Sequence, residues 1–150
     1  MTAIGVFVAT RWESAAVCQA FAASEMRVVG GIRCAVARQG QVEWWVIPMG
    51  VGPERATTTA GRVLGEQSFA AVWSTGFACA LGQAVIGEVL IGTHVTMEGG
   101  AEDGRSVPCA AAGADWVRQA VQQQRLPVQA GRFVTVPRVL CRAEEKQEMA

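Results

Sequence analysis

The sequence predicts an α/β fold of three layers, in which a mixed, mostly parallel central sheet carrying a hairpin insertion is flanked by helices. Three observations lead there. The apolar runs Ala3–Ala9 and Ala71–Trp73 lack polar alternation, as strands covered on both faces do. The first run and a later glycine-rich turn each lead into a segment of helical periodicity. Strands then alternate with helices, without repeat, linker or composition break, so one domain is expected over residues 1–150.

Each element has its own local reason. After Ala3–Ala9 and the polar pair Thr10-Arg11, Trp12–Ala23 places Trp12, Ala15, Ala16, Ala20 and Phe21 on one helical stripe. Gly31–Ala37 and Val42–Ile47 read as a hairpin across Arg38–Gln41, where Gly40 can supply a positive φ. Pro48–Ala56 is a glycine-rich strand-to-helix turn. Gly52 caps, Pro53 suits the first helical position, and Glu54 favours the positive helix end. The helix continues to about Leu64, with Gly65 as its stop. Beyond Ala71–Trp73, Glu88–Val95 is a strand in which Gly92 marks a bulge or close crossing. Glu98–Ser106 is a polar acidic loop. Asp115 is the expected N-cap of a helix Trp116–Gln124, ended by Leu126-Pro127. Phe133–Val136 is a last short strand and Arg142–Met149 a charged helical stretch.

Bulk composition narrows the function classes. With 150 residues, 51% hydrophobic and 17% charged, the chain can build a real core. Thirteen basic and thirteen acidic residues cancel, and the arginines are scattered, so no summed field selects nucleic acid or an anionic membrane as partner. Cys18, Cys34, Cys79, Cys109 and Cys141 form no CxxC pair and have only His94 as nitrogen company. This is poor arithmetic for a metal site and suits reduced cysteines in a cytoplasmic protein. No basic leader precedes the first apolar run, and no run reaches membrane-spanning length.

Three places can carry chemistry. Thr75–Ala80, just past a buried strand, is either a pocket wall or an ordinary turn, since open α/β sheets bind ligands beyond the carboxyl ends of their strands. Glu13 sits beyond the first strand at a helix entrance, as a functional carboxylate or a favourable partner for the helix dipole. Met49–Ala56 is a tight turn or an anion or ribose site. It lacks the lysine and hydroxyl of a P-loop and does not fit GxGxxG, so it supports neither a triphosphate nor a dinucleotide. His94, isolated within a strand run, reads as a packed or strand-edge histidine rather than a ligand or base.

Four pieces in order, Ile4–Glu13, Met49–Ala56 (MGVGPERA), Ser74–Leu81 (STGFACAL) with Gly87–Gly92 (GEVLIG), and Val134–Lys146 (VTVPRVLCRAEEK), resemble the nucleoside phosphorylase superfamily. Within it they are similar to 5′-methylthioadenosine/S-adenosylhomocysteine nucleosidases, futalosine hydrolases and hopanoid-associated phosphorylase-like proteins. The resemblance implies cleavage of the N-ribosidic bond of a purine-type nucleoside by water or phosphate, in a homo-oligomer; no cofactor or metal is expected. It places Glu13 where the nucleosidases carry the carboxylate that orients and deprotonates water. Thr75, Gly76, Phe77, Ala78 and Cys79 fall on the ribose or nucleophile side, and Val139 and Leu140 where the purine packs.

Departures from the pattern adjust these expectations. Phe77 replaces a common serine, and Cys79 and Ala80 replace glycines, which implies a smaller and more apolar nucleophile pocket. No arginine falls at an assignable phosphate position, so hydrolysis is preferred over phosphorolysis. Residue 150 precedes the family's ribose-binding acidic segment and the later aspartate that protonates the base, so a chain incomplete at its C-terminus and poor in catalysis is expected. A non-catalytic nucleoside-binding module and an α/β oligomerisation scaffold are the alternative functions.

Overall fold

The computed structural model describes residues 1–97, 106–138 and 140–149. They form two compact units, Met1–Phe77 and Ala78–Ala150. The expected acidic loop lies outside the described residues except for Ser106, and Val139 lies outside them as well.

In the first unit, β1 (Thr2–Val8), α1 (Arg11–Phe21), β2 (Glu25–Val29), β3 (Ile32–Gln39), β4 (Val42–Pro48), α2 (Pro53–Glu66) and β5 (Ala71–Ser74) follow in order. The sheet runs β2-β3-β4-β1-β5. β1 is parallel to both β4 and β5, whereas β2–β3 and β3–β4 are antiparallel. Both hairpins turn on glycine. Gly30 and Gly31, at φ 57° and 74°, join Val29 to Ile32, and Gly40, at φ 59°, helps join Gln39 to Val42.

Strand alternation divides the core between the two sheet faces. Val6, Val8 and Val46 pack under Val17, Cys18 and Phe21 of α1, where the Phe21 and Trp44 rings stack at 4.6 Å between centroids. Phe7, Cys34, Val36, Trp45 and Ile47 face the other way, with Val63 and Ala60 of α2 and with Phe69. Helix, sheet and helix are therefore the three layers of this unit, as the run of β1 predicts, whereas β5 is not covered on both faces as expected, since Val72 is 50% exposed.

One strand escapes the sequence reading and one helix end differs from expectation, each for a physical reason. β2 has no strand signature because its pattern is inverted: Met26 and Val28 are exposed while Glu25 and Arg27 are half-buried. Arg27 bonds Glu25 at 2.8 Å and Glu43 at 2.9 Å, and Arg38 bonds Glu43 at 3.0 Å, so charge pairing stands where apolar burial normally would. Gly65 does not stop α2, which runs on to Glu66 with Gln67 as its C-cap. The Glu66 carboxylate accepts from the Gly30 N–H at 2.7 Å, which anchors that last turn.

The second unit contains β6 (Val89–Met97), β7 (Ser106–Pro108), α3 (Ala111–Gln123), β8 (Val128–Thr135) and α4 (Ala143–Gln147). Its sheet runs β7-β6-β8, with β8 parallel to β6 and β7 antiparallel. The register slips between Gly92 and His94, which makes Gly92 the edge of a bulge. Phe133 rests within 3.2 Å of where a Gly92 Cβ would stand. Asp115 is not the N-cap of α3: Ala110 holds that position without a side-chain bond, and Asp115 lies inside the helix, paired with Arg118 at 3.1 Å. Alanine is the best helix former, so Ala111, Ala112 and Ala114 extend the helix upstream, across Gly113, with no capping side chain. β8 begins at Val128 rather than Phe133 and ends before Val136, and the described part of the final helix is shorter than Arg142–Met149. His94 lies on the middle strand with its side chain exposed, not packed.

Ile47 is fully buried on β4, beside β1 and opposite α2. Shortening it to valine is expected to cost about 0.5–1.5 kcal/mol, and Ile47→Ala about 2–5 kcal/mol, by urea unfolding. Equal small losses for both variants would mean that this face is loosely packed.

Candidate functional site

Parallel pairing brings the carboxyl ends of β4, β1 and β5 to one edge of the first unit. Val8 stands beside Pro48, and Phe7 beside Ser74. The ladder continues one residue into each turn, with the Met49 N–H donating to Val8 O at 2.9 Å and the Thr75 N–H to Phe7 O at 3.0 Å. From adjacent strands the chain leaves for opposite faces, β1 into α1 and β4 into α2. In an open α/β sheet this divergence opens the crevice where ligands bind.

Glu13 is drawn into this edge by its local sequence. Thr10 is the N-cap of α1 and Glu13 its third helical residue: the Glu13 N–H donates to Thr10 Oγ1 at 3.2 Å, and the Thr10 N–H donates to Glu13 Oε2 at 2.7 Å. This is a capping box, legible as threonine followed three residues later by glutamate. The Ala9 N–H also donates to Oε2, at 3.0 Å. Thr10 is not among the residues predicted from the sequence, although the Thr-x-x-Glu spacing carries the signal.

What the cap does not explain is the other oxygen. Oε1 accepts from the N–H of Phe77 at 2.8 Å, across 64 positions of sequence. Glu13 is only 7% exposed. Burial pushes its carboxyl upward, but the N–H groups of Phe77, Thr10 and Ala9 and the Thr10 side chain outweigh that and hold it below the ordinary carboxylate value.

A second glutamate serves as a control within the molecule. Glu145 accepts from the N–H groups of Cys141 and Arg142 on one oxygen, both at 3.1 Å, four and three positions upstream, as Glu13 does from Ala9 and Thr10. Its other oxygen pairs with the Arg138 guanidinium at 3.0 Å, and its side chain is 31% exposed. The cap is thus a general device, whereas burial and the bond to a distant turn distinguish Glu13.

Of the other predicted residues, Thr75, Gly76 and Phe77 form the turn after β5, with the Phe77 ring 87% exposed and its N–H turned to Glu13. A Cβ on Gly76 would run into Glu13 Oε1. Ala78 and Cys79 begin the second unit and are exposed, and Leu140, also in that unit, is half-buried. The glycine-rich turn is held by Thr59, whose hydroxyl donates to Met49 O at 3.4 Å, with Gly50 and Gly52 at φ 80° and 99°. Two concavities of the first unit lie along this turn and α2, one apolar around Phe7, Ala60, Leu64 and Val72, the other polar around Gly50, Arg55 and Thr58. Neither is lined by Glu13. Among the described residues no group of three or more histidine, cysteine or acidic side chains is placed to hold a metal, and no helix is long and apolar enough to cross a membrane.

The family model of the Phosphorylase superfamily matches residues 3–150. The chain is similar to the crystal structure of a Helicobacter pylori MTAN mutant with 5′-methylthioadenosine in its active site (17% identity, TM-score 0.82, covering 99% of this chain and 71% of that one). It is similar also to a futalosine hydrolase mutant of Helicobacter pylori (17%, 0.83, 99% and 71%). A third match is the Helicobacter pylori 5′-methylthioadenosine/S-adenosylhomocysteine nucleosidase with butyl-thio-DADMe-Immucillin-A (18%, 0.83, 99% and 70%). At these identities the likeness establishes the mixed α/β fold with its helix-flanked sheet. No curated protein matches the chain.

Because the folded-state pKa of Glu13 lies below the unfolded one, its contribution to stability is present above about pH 4.3 and is lost as pH falls through the folded value. Glu13→Gln is expected to lower stability at pH 7 by about 1–3 kcal/mol, with the gap to the parent chain narrowing towards pH 3. Urea unfolding at pH 3, 5 and 7 reads this out. A gap constant across the series would show that the donors do not prefer the ionised form.

Proposed function

This chain belongs to the phosphorylase superfamily, and from that premise we propose that it cleaves the N-ribosidic bond of a purine-type nucleoside, with water preferred to phosphate as the attacking group. The observation that carries the reading is Glu13: a buried carboxylate, held ionised by three backbone N–H groups, at the carboxyl ends of parallel strands. The nucleoside ligand in the active site of the Helicobacter pylori MTAN mutant supports the substrate class.

The chemistry follows from the charge. As the bond from the anomeric carbon to the base nitrogen breaks, its electron pair leaves with the base and the ribose acquires oxocarbenium character. An ionised carboxylate beside that carbon stabilises the developing cation without reorganising, because its donors are already fixed. Water then forms the new carbon–oxygen bond. A water bonding to a cation becomes strongly acidic, so a carboxylate of low pKa suffices to take its proton late in the step, while the departing base nitrogen gains a proton. Thr75, Gly76, Phe77, Ala78 and Cys79 are assigned to the ribose and nucleophile side, and Val139 and Leu140 to the purine. Assembly into a homo-oligomer belongs to the same reading.

The test is free-purine release by the full natural chain from methylthioadenosine, adenosylhomocysteine, inosine and futalosine, with and without phosphate. Release independent of phosphate and reduced about 100- to 10,000-fold in Glu13→Gln is expected. Strict phosphate dependence would transfer the assignment to phosphorolysis. Nucleoside binding without release would mark a binding module, and self-association with neither would mark a scaffold.

A further inference from the structure

We infer that Gly76 is a positioning residue: the empty space at its Cβ admits the Glu13 carboxylate to the Phe77 N–H and fixes Oε1 as the oxygen that faces the reacting groups. The inference rests on the reading of Glu13 given above and assigns its two oxygens different tasks.

Backbone conformation does not explain a glycine at this position. Gly30, Gly31, Gly40, Gly50, Gly52 and Gly87 all have positive φ, where a side chain is strained, and Gly76 is not among them. Space does explain it. A Cβ built on Gly76 collides with Glu13 Oε1 and stands 2.8 Å from Cδ and 3.3 Å from Oε2, so the whole carboxylate is in its way. The end of a glutamate can ordinarily swing aside at little cost. Here swinging aside breaks the bond to Phe77, while the Ala9 and Thr10 donors keep holding the other oxygen. An added methyl therefore disturbs the carboxylate rather than the fold.

The donor count then separates the oxygens. An ionised carboxylate offers about four acceptor positions. Among the described residues two backbone N–H groups, those of Ala9 and Thr10, donate to Oε2 and one, that of Phe77, to Oε1. Oε1 has the fewer backbone donors and lies beside Gly76 and Phe77, and it is the oxygen assigned to the attacking water. Oε2 belongs to the helix cap, and Oε1 performs the chemistry.

Gly76→Ala in the full natural chain is expected to keep the parent's circular dichroism, to lower kcat by about 100-fold with KM within 3-fold, and to move the acid limb of the kcat–pH profile upward, because one donor to the ionised form is lost. In a Glu13→Ala background, where nothing occupies the space, Gly76→Ala should change kcat by less than 3-fold. Multiplying effects in the double variant, or an acid limb that stays in place, would overturn the inference. A 13C-glutamate titration separates it from the functional reading, since the Glu13 carboxyl of Gly76→Ala should titrate at higher pH whether or not the chain cleaves anything. A parent chain that releases no purine would sink the functional reading, and an unmoved Glu13 titration would sink the role of Gly76.

Discussion

One carboxylate ties the first unit together at its chemically interesting edge. Glu13 leaves a helix entrance and takes N–H groups from its own turn and from the turn after β5, so two segments 64 positions apart converge on one charge. Burying an unpaired carboxylate is prohibitively costly, and a buried one persists only where donors surround it. Backbone N–H groups meet that need with fixed direction and no side-chain entropy to lose. The price of the arrangement is carried by the fold, which must place β1 between two parallel neighbours before such donors can meet.

That placement follows from how the core is divided. α1 covers the face of Val6, Val8 and Val46, and α2 covers the face of Phe7, Trp45 and Ile47. Were both helices on one face, the turns after β1 and β4 would leave in the same direction and crowd each other. With opposite exits, the turn after β1 stays open on its β5 side, where Phe77 approaches. Ser74 pairs with Phe7 and Thr75 prolongs the ladder, so the position of the Phe77 N–H is set by strand register and only two residues of turn. Register, rather than loop conformation, thus places the long-range donor.

How much of this the sequence discloses depends on how local each cause is. Continuous apolar runs disclose β1 and β5, the hairpin reading across Gly40 discloses β3 and β4, and the Gly52-Pro53-Glu54 start of α2 is legible because capping is a property of neighbouring residues. β2 is hidden, since Glu25 and Arg27 are satisfied by Glu43 and Arg38 from other strands and no local pattern announces that exchange. α3 starts early because alanine needs no signal to be helical. At the candidate site, Thr10-x-x-Glu13 is readable as a cap, and the family resemblance raises Glu13 from cap to candidate catalytic residue. The convergence of Oε1 on Phe77 is not readable, because it depends on β5 lying beside β1.

Glu145 shows why that last step matters. By sequence and local geometry it repeats the Glu13 device, a carboxylate in the first helical turn accepting N–H groups three and four positions upstream. Its other oxygen meets a guanidinium at a half-exposed site, so its charge is neutralised by a partner ion. Among the described residues Glu13 receives backbone and hydroxyl dipoles, and these stabilise the ionised form without cancelling its net charge. A carboxylate kept charged and unneutralised projects a field that a nearby cation can use, whereas one already paired projects little. The reaction proposed above, with a transient positive charge on a sugar, calls for the first kind, and Glu13 with its dipolar partners is of that kind.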